Sequence, residues 1–290
     1  MRFLVAGVTG NVGGEVAARL VDAGHHVSGV VRDPDVVLPS GIDPVVGDLE
    51  QPDGLQLGEF AYDAAFLLPG YRDMDGLVAA VRRAGAGRLV LLSGLSAGSG
   101  DSSNEITAMM ERSERAVKQA PGVWTVVRPT AFMSNCLRWS DQLATGDLVT
   151  LPFPHVASAL THPADIADVV AAALESDEHA GSIHLLSGPQ ALTPEEQVAI
   201  VGRVLNRPLR FVPQSDEAAW DEMTAHMPRR QVEALFDFYV RGSLDESIVY
   251  PTITEVTGAP ARTLSDWVDE NRSSFPPPFD RPAPPDGERS

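Results

Sequence analysis

One cysteine, Cys136, is all that 290 residues contain. A single thiol forms neither an intrachain disulfide nor a thiolate metal cluster, so Cys136 reads as a buried structural residue. Basic residues are also scarce, 22 Lys plus Arg against 40 Asp plus Glu, for a net charge of -18. That balance argues against a direct nucleic-acid surface or an anionic membrane surface and favours solubility. The seven histidines include no His-x-x-x-His pair, and no metal site is expected. No apolar run approaches the roughly 18 residues of a membrane helix, and Met1-Arg2-Phe3 already reads as the start of a core strand, not a signal peptide. A cytoplasmic protein with no membrane partner is expected. With 43% hydrophobic residues the chain can bury one large core, or one core with a smaller lobe appended.

The first thirteen residues carry the strongest signal. An apolar strand, Phe3-Leu4-Val5-Ala6, runs into Gly7-Val8-Thr9-Gly10-Asn11-Val12-Gly13, and a helical pattern of Val16, Ala17, Leu20 and Val21 follows. Glycines permit the tight turn and close approach of a ligand, while helix-start N–H groups and the positive dipole end attract a pyrophosphate. A dinucleotide cradle is predicted, with a plain glycine turn as the alternative.

Short apolar runs then alternate with helical patterns: strands near 2–6, 26–31, 44–47, 62–68, 88–93 and 123–128, helices over 11–23, 74–84 and 105–119. This alternation predicts an α/β fold of Rossmann type, a doubly wound parallel sheet with helices on both faces. After Arg128-Pro129 the rhythm breaks. Asp165–Leu174 reads as a helix and Ser182–Leu186 as a strand. Thr193, Pro194 and Glu196 then form a capped helix start, which Asn206 and Pro208 close. Residues 209–274 read as a short strand and helices carrying Trp220, Leu235, Phe236, Phe238 and Trp267, a smaller C-terminal substrate lobe over the strand ends. The expected division is 1–135 plus about 155–190 for the nucleotide-binding core, and about 136–154 plus 191–275 for the lobe. From Pro276 onward six of fifteen residues are proline, which predicts an extended, poorly ordered tail.

In such a sheet a ligand lies beyond the carboxyl ends of the strands. Arg32, nineteen residues after Gly13, stands where an adenosine ribose is read, and its guanidinium matches a 2′-phosphate in bidentate fashion. NADP(H) is therefore expected in preference to NAD(H). Asp33 keeps the other choice open, since an acid there bonds a ribose 2′-OH, and a solvated Arg-Asp turn is the bland reading. Asp48 could accept from the adenine amino group with Leu49 lining the ring, or simply be a turn residue. Leu67-Leu68-Pro69-Gly70, with no donor side chains, fits a segment packed along the cofactor.

These residues together resemble the NmrA-like branch of the atypical short-chain dehydrogenases/reductases, a group of NAD(P)H-binding quinone and azo reductases and redox-sensing regulators. The resemblance runs from Met1 to about Phe275. It rests on Val5 to Gly13, Val31-Arg32-Asp33-Pro34, Gly47-Asp48-Leu49, Leu91-Leu92-Ser93, Trp124 to Asn135 and Thr263 to Val268, with Arg128-Pro129 and its surroundings the most specific. It implies that Gly7, Thr9, Gly10, Asn11, Val12 and Gly13 wrap the pyrophosphate and Arg32 meets the 2′-phosphate. It places Asp48 and Leu49 at the adenine, Leu68 and Pro69 at the nearer ribose, and Ser93, Pro129 and Thr130 at the nicotinamide.

The chain departs from that pattern where short-chain reductases carry Tyr-x-x-x-Lys. Its only lysine is Lys118, the residue four before it is Glu114, and none of Tyr62, Tyr71, Tyr239 and Tyr250 has a lysine four positions later. Aligned with the dyad is Thr107-Ala108-Met109-Met110-Glu111, and Glu114 with Lys118 reads as an exposed helical pair. Losing the dyad removes simple carbonyl reduction. It leaves hydride transfer to a quinone, a flavin-like ring or an activated alkene, which depends on positioning and can take its proton from solvent. Ser93 is the leading catalytic hydroxyl, with Thr107, Glu111 and Thr130 secondary, and each has an ordinary structural role as its alternative. His155 reads as a loop residue near the pocket mouth and His162 as the positioner of a helix start. Phe153, Trp220, Phe236, Phe238 and Tyr239 could stack on a flat substrate or belong to the core. The expectation is an NAD(P)H-dependent oxidoreductase of a hydrophobic, aromatic or quinone-like molecule. The alternatives are a non-catalytic NADP(H) redox sensor and a non-redox enzyme reusing the pocket; a homodimer stays open.

Overall fold

The structure, a computed structural model, describes residues 1–55, 57–58 and 61–277. A seven-stranded, wholly parallel sheet forms its centre, in the order β3-β2-β1-β4-β5-β6-β8. The strands are β1 (Arg2–Val5), β2 (His26–Val31), β3 (Ile42–Val46), β4 (Ala64–Leu67), β5 (Arg88–Leu92), β6 (Val123–Pro129) and β8 (Ile183–Leu186). Pro44 lies in β3 because that strand is an edge, where one missing N–H costs no ladder bond.

Alternation along each strand sends side chains into two cores. Phe3, Val5, Phe66, Val90 and Val127 pack against α1 (Asn11–Asp22) and α5 (Pro163–Glu175). Leu4, Ala65, Leu67, Leu89, Leu91 and Val126 pack against α2 (Met74–Arg83) and α3 (Glu105–Gln119). Strands buried on both faces show as unbroken apolar runs, which is why the alternation was readable.

A third core is built by α4 (Ser140–Thr145), β7 (Leu148–Leu151), α6 (Pro194–Leu205), β9 (Arg210–Pro213) and α10 (Leu264–Glu270). Of the other elements, α9 (Thr252–Thr257) joins the first core through Ile253, and α8 (Arg229–Tyr239) packs against α3 and against α7 (Asp216–His226). The capping box predicted at α6 is present, Thr193 and Glu196 bonding each other's backbones. β7 was not foreseen: it is four residues long, and its parallel partner β9 lies some sixty positions on. The proline-rich tail expectation falls beyond Pro277, outside the described residues. Among the described residues no helix is long and apolar enough to cross a membrane, and no group of three or more His, Cys, Asp or Glu could hold a metal ion.

His162 does start α5: its Nδ1 accepts the Ala164 N–H at 3.1 Å. Burial, reinforced by the Arg262 charge, pushes the imidazole down to about 4, so it is neutral when folded, 3.3 Å from Glu270. Unfolded, the ring takes up a proton near its ordinary value, so stability is full above about 6.5 and drains away as pH falls toward 4. About 1–2 kcal/mol of stability is expected to be lost over that range. His162→Asn keeps a capping side chain without the titration. Its urea stability should fall less than that of wild type between about pH 7 and about pH 5; identical slopes would contradict this origin.

Candidate functional site

The chain turns at Gly7, whose φ of 66° lies in the left-handed region, and the Gly10 N–H donates back to the Gly7 carbonyl at 2.8 Å. Helix α1 starts at Asn11 with no side chain capping it and no acid in its first turn. Its first N–H groups are thus open to an anion. Gly13 lets the helix sit directly on the turn: a Cβ there would lie 2.2 Å from the Gly7 carbonyl oxygen. A Cβ on Gly7 would lie 2.5 Å from Leu68 Cδ1, so the loop after β4 closes on the cradle. That loop is clipped to α3, the Gly70 N–H donating to Ser113 Oγ at 3.0 Å. Close backbone approach and uncapped N–H groups fit a dinucleotide pyrophosphate.

Beyond β2 and β3 the cradle opens into a cleft of about 430 Å³ lined by Gly7, Thr9, Arg32, Asp48, Leu49 and Tyr71 among others. Arg32 is exposed there, and among the described residues it has no ion-pair partner. Asp33 Oδ1 accepts the Asp35 N–H at 2.9 Å, tying that acid into its own turn. Asp48 closes a turn, accepting the Glu50 N–H at 3.0 Å and Gln51 Nε2 at 3.1 Å, and it also lines the cleft. Tyr71 escaped the sequence reading. Burial, then the Glu50 charge, raises its phenol to about 12, so it stays protonated over the cleft. Its only sequence signal is its place directly after the Leu68-Pro69-Gly70 loop.

At the ends of β5 and β6, Ser93 donates to Glu114 Oε1 at 2.7 Å. Arg128 adds two bonds to the same carboxylate, at 2.7 and 2.8 Å, and Lys118 Nζ lies 2.6 Å from it. Glu114 is 3% exposed, so it and Lys118 are not the exposed helical pair its spacing suggests. Burial alone would raise this carboxyl, but the bonds from Arg128, Lys118 and Ser93 outweigh it and hold the group below the ordinary glutamate value. With its proton committed to Glu114, Ser93 offers lone pairs to whatever lies beside it and acts as an acceptor. The Thr130 hydroxyl meets the Ala159 carbonyl at 2.6 Å and Thr161 Oγ1 at 2.7 Å, below Pro129 at the β6 terminus. Thr107 is fully buried, and among the described residues its hydroxyl has no partner. Glu111 accepts from Ser102 Oγ at 2.6 Å near the surface. The structure thus groups Ser93, Pro129 and Thr130 at adjacent strand ends, and sets Thr107 and Glu111 on α3.

Two residues from the irregular stretch and helix beyond β9 complete this end. Glu246 is buried; its Oε1 accepts the Ala131 N–H at 2.8 Å, and its Oε2 meets Tyr239 Oη at 3.1 Å and, more weakly, Ser158 Oγ at 3.5 Å. The Tyr239 ring packs on Phe153, centroids 5.2 Å apart, and Phe153, Phe236 and Trp220 continue as an edge-to-face wall. Phe153 holds a φ of 54°, a left-handed conformation uncommon for an aromatic residue. His155 beside it is exposed. Glu246 was absent from the sequence reading because residues 240–251 have no periodicity to place it.

Residues 7–177 match the model of a family described as NAD(P)H-binding. The chain is 36% identical over 281 residues to the (4-alkanoyl-5-oxo-2,5-dihydrofuran-3-yl)methyl phosphate reductase of Streptomyces griseus, covering 95% of this chain and 99% of that one. It is 29% identical over 283 residues to the NAD(P)H azoreductase of Xenophilus azovorans, covering 94% and 99%. Among solved structures, a nucleoside-diphosphate-sugar epimerase from Staphylococcus aureus superposes with a TM-score of 0.77 at 17% identity, covering 93% of this chain and 100% of that one. That likeness shows the fold, and the sequence matches carry the family. The chain belongs to the NAD(P)H-binding, NmrA-like branch of the atypical short-chain dehydrogenases/reductases and is an NAD(P)H-dependent oxidoreductase of that type.

Proposed function

We propose that this reductase prefers NADPH and acts on a hydrophobic small molecule whose acceptor is an electron-poor conjugated system, a quinone-like ring or an activated alkene. The observation that carries the reading is at the ends of β5 and β6: the Ser93 and Thr130 hydroxyls are committed to internal bonds, no Tyr-x-x-x-Lys dyad is present, and an aromatic cluster of Tyr239, Phe153, Phe236 and Trp220 is tied to the segment after β6 through Glu246. An isolated ketone needs a proton as hydride arrives, whereas a conjugated acceptor spreads the charge and tolerates a weaker donor. The named substrate of the Streptomyces relative, an unsaturated lactone bearing an acyl group, has that electronic character, and the azo group of the other relative's substrates is likewise conjugated.

When bound, the cofactor would supply hydride. Gly7, Gly10 and the start of α1 would hold its pyrophosphate, Arg32 the 2′-phosphate, Asp48, Leu49 and Tyr71 the adenosine. Ser93, as an acceptor, would orient the nicotinamide end, and the aromatic wall would exclude water. The phosphate preference is supported by an Arg32 with no ion-pair partner among the described residues and an Asp33 drawn into its own turn.

The test combines calorimetric titration of NADPH and NADH with turnover on quinones, cyclic enones and unconjugated ketones. NADPH oxidation is expected with the first two classes and not the third. Arg32→Ala should cost about 1.5–3 kcal/mol of NADPH binding and leave NADH binding nearly unchanged. An unaltered NADPH-to-NADH ratio would remove Arg32 from the site. Equal turnover of simple ketones would overturn the acceptor assignment.

A further inference from the structure

Reducing an activated alkene leaves a problem that the cofactor residues do not address. As hydride arrives at the β-carbon, the C–H bond forms, the alkene electron pair shifts, and negative charge appears on the conjugated carbonyl oxygen. That oxygen needs a hydrogen-bond donor, and the intermediate needs one proton to finish. Ser93 and Thr130 give their protons in short bonds, at 2.7 Å to Glu114 and at 2.6 Å to the Ala159 carbonyl, whereas Tyr239 gives its own to Glu246 Oε2 in a longer bond of 3.1 Å, the one of the three most readily exchanged for a substrate oxygen. Ser158 and Thr161 donate within the same cluster, to Glu246 Oε2 and to the Leu186 carbonyl. Thr107 is buried in α3, and among the described residues its hydroxyl makes no bond to the segment that follows β6. The remaining candidate is Tyr239, a phenol that burial and the Glu246 charge raise above its ordinary value, so it holds its proton until a substrate oxygen gains charge.

We propose that Tyr239, backed by Glu246, is the donor that meets the oxygen charge on the substrate, occupying by a different route the role left vacant by the missing dyad. This rests on the conjugated acceptor proposed above. The position supports it. Tyr239 Oη reaches Glu246 Oε2, and the same carboxyl holds the Ala131 N–H, two residues after Pro129 at the expected nicotinamide end. The Glu246 carbonyl also accepts the Ala159 N–H at 2.7 Å, so the pair is anchored on both sides of the segment that follows β6. The phenol ring is one side of the aromatic wall through Phe153. A flat acceptor against that wall and beside Ala131 has Tyr239 at its edge.

When Glu246 itself carries a proton the bond reverses, the carboxylic acid donating to Tyr239 Oη and freeing the phenol proton for the substrate. Burial raises the Glu246 carboxyl above the ordinary value although Tyr239, Ala131 and Ser158 bond to it, which favours the acid form. In the step, the Tyr239 O–H bond breaks as its proton passes to the enolate oxygen. The Glu246 O–H bond breaks as its proton restores the phenol, and water reprotonates Glu246. The enol then tautomerises to the saturated carbonyl. With the hydride from the nicotinamide, two electrons and two hydrogens are added across the alkene.

The variants are Tyr239→Phe, which keeps the ring and its contacts, Glu246→Gln, and Thr107→Val as the rival hydroxyl. The first readout needs no turnover: protein saturated with NADP⁺ is titrated with para-nitrophenol, whose phenolate absorbs apart from the phenol and carries its charge on oxygen. Tyr239→Phe should weaken phenolate binding by about tenfold and leave NADP⁺ affinity unchanged, with Thr107→Val like wild type. The second is turnover of a cyclic enone, which Tyr239→Phe should slow by about 10²–10³-fold, with a smaller loss in Glu246→Gln. If wild type reduces no enone, the acceptor assignment fails while the phenolate titration still reads Tyr239. Phenolate binding in Tyr239→Phe within twofold of wild type, or a larger loss in Thr107→Val, overturns the proposal.

Discussion

Glu114→Ala is expected to lose about 3–5 kcal/mol of folding stability, because it strands charge in a dry place. Glu114 is 3% exposed and is the common acceptor for Ser93, Arg128 and Lys118. Without it the Arg128 guanidinium, itself mostly buried between β6 and α3, faces no anion. Lys118 is more exposed and can turn to water, so Lys118→Ala should cost under about 1 kcal/mol. The contrast separates a buried hub from an ordinary helical pair. Because the folded carboxyl titrates below its unfolded value, its stabilisation is full at neutral pH and is lost as pH falls below the ordinary glutamate range. Urea melts of the two variants at neutral pH provide the measurement; equal losses for Glu114→Ala and Lys118→Ala would show that burial contributes nothing here.

The same residue shows where reading a sequence stops. Four positions separate Glu114 from Lys118, and that spacing is identical for a solvated pair and for one arm of a buried hub. The difference lies in Ser93 and Arg128, brought in by β5 and β6 from 21 and 14 positions away. Signals carried within one element were legible: the glycine spacing before α1, the apolar runs of the parallel strands, and the capping box at Thr193 all act through local backbone geometry. The lining of the cleft was therefore partly readable, since Arg32 and Asp48 both border it beside Gly7 and Thr9, though Tyr71 needed the fold to lean it over the cleft. The substrate end was less so. Glu246 meets Ala131 across 115 positions from a stretch with no period, and β7 is too short to declare itself without β9. Tyr239 was visible as an aromatic on a helix, but its partner was not.

Gly13→Ala should abolish measurable dinucleotide binding, a loss of at least about a hundredfold, and destabilise the fold by about 1–3 kcal/mol. Its added methyl would lie 2.2 Å from the Gly7 carbonyl oxygen, 2.6 Å from the Gly7 carbonyl carbon and 2.8 Å from the Ala6 carbonyl oxygen. All three are backbone atoms of the turn, so no side-chain rotation relieves the overlap. Either α1 moves off the sheet or the turn shifts, and both misplace the N–H groups relative to a pyrophosphate by a sizeable part of an ångström. Moving α1 also disturbs its packing against α5 through Val16, Ala17 and Leu20. Gly14→Ala is the matched control: its methyl would meet only the Val8 carbonyl oxygen, at 3.3 Å, so binding should change by no more than about threefold. NADPH titration and thermal melts of the two variants decide the matter. If Gly13→Ala binds NADPH within fivefold of wild type, direct contact between helix and turn is not what makes the cradle, and the pyrophosphate assignment fails with it.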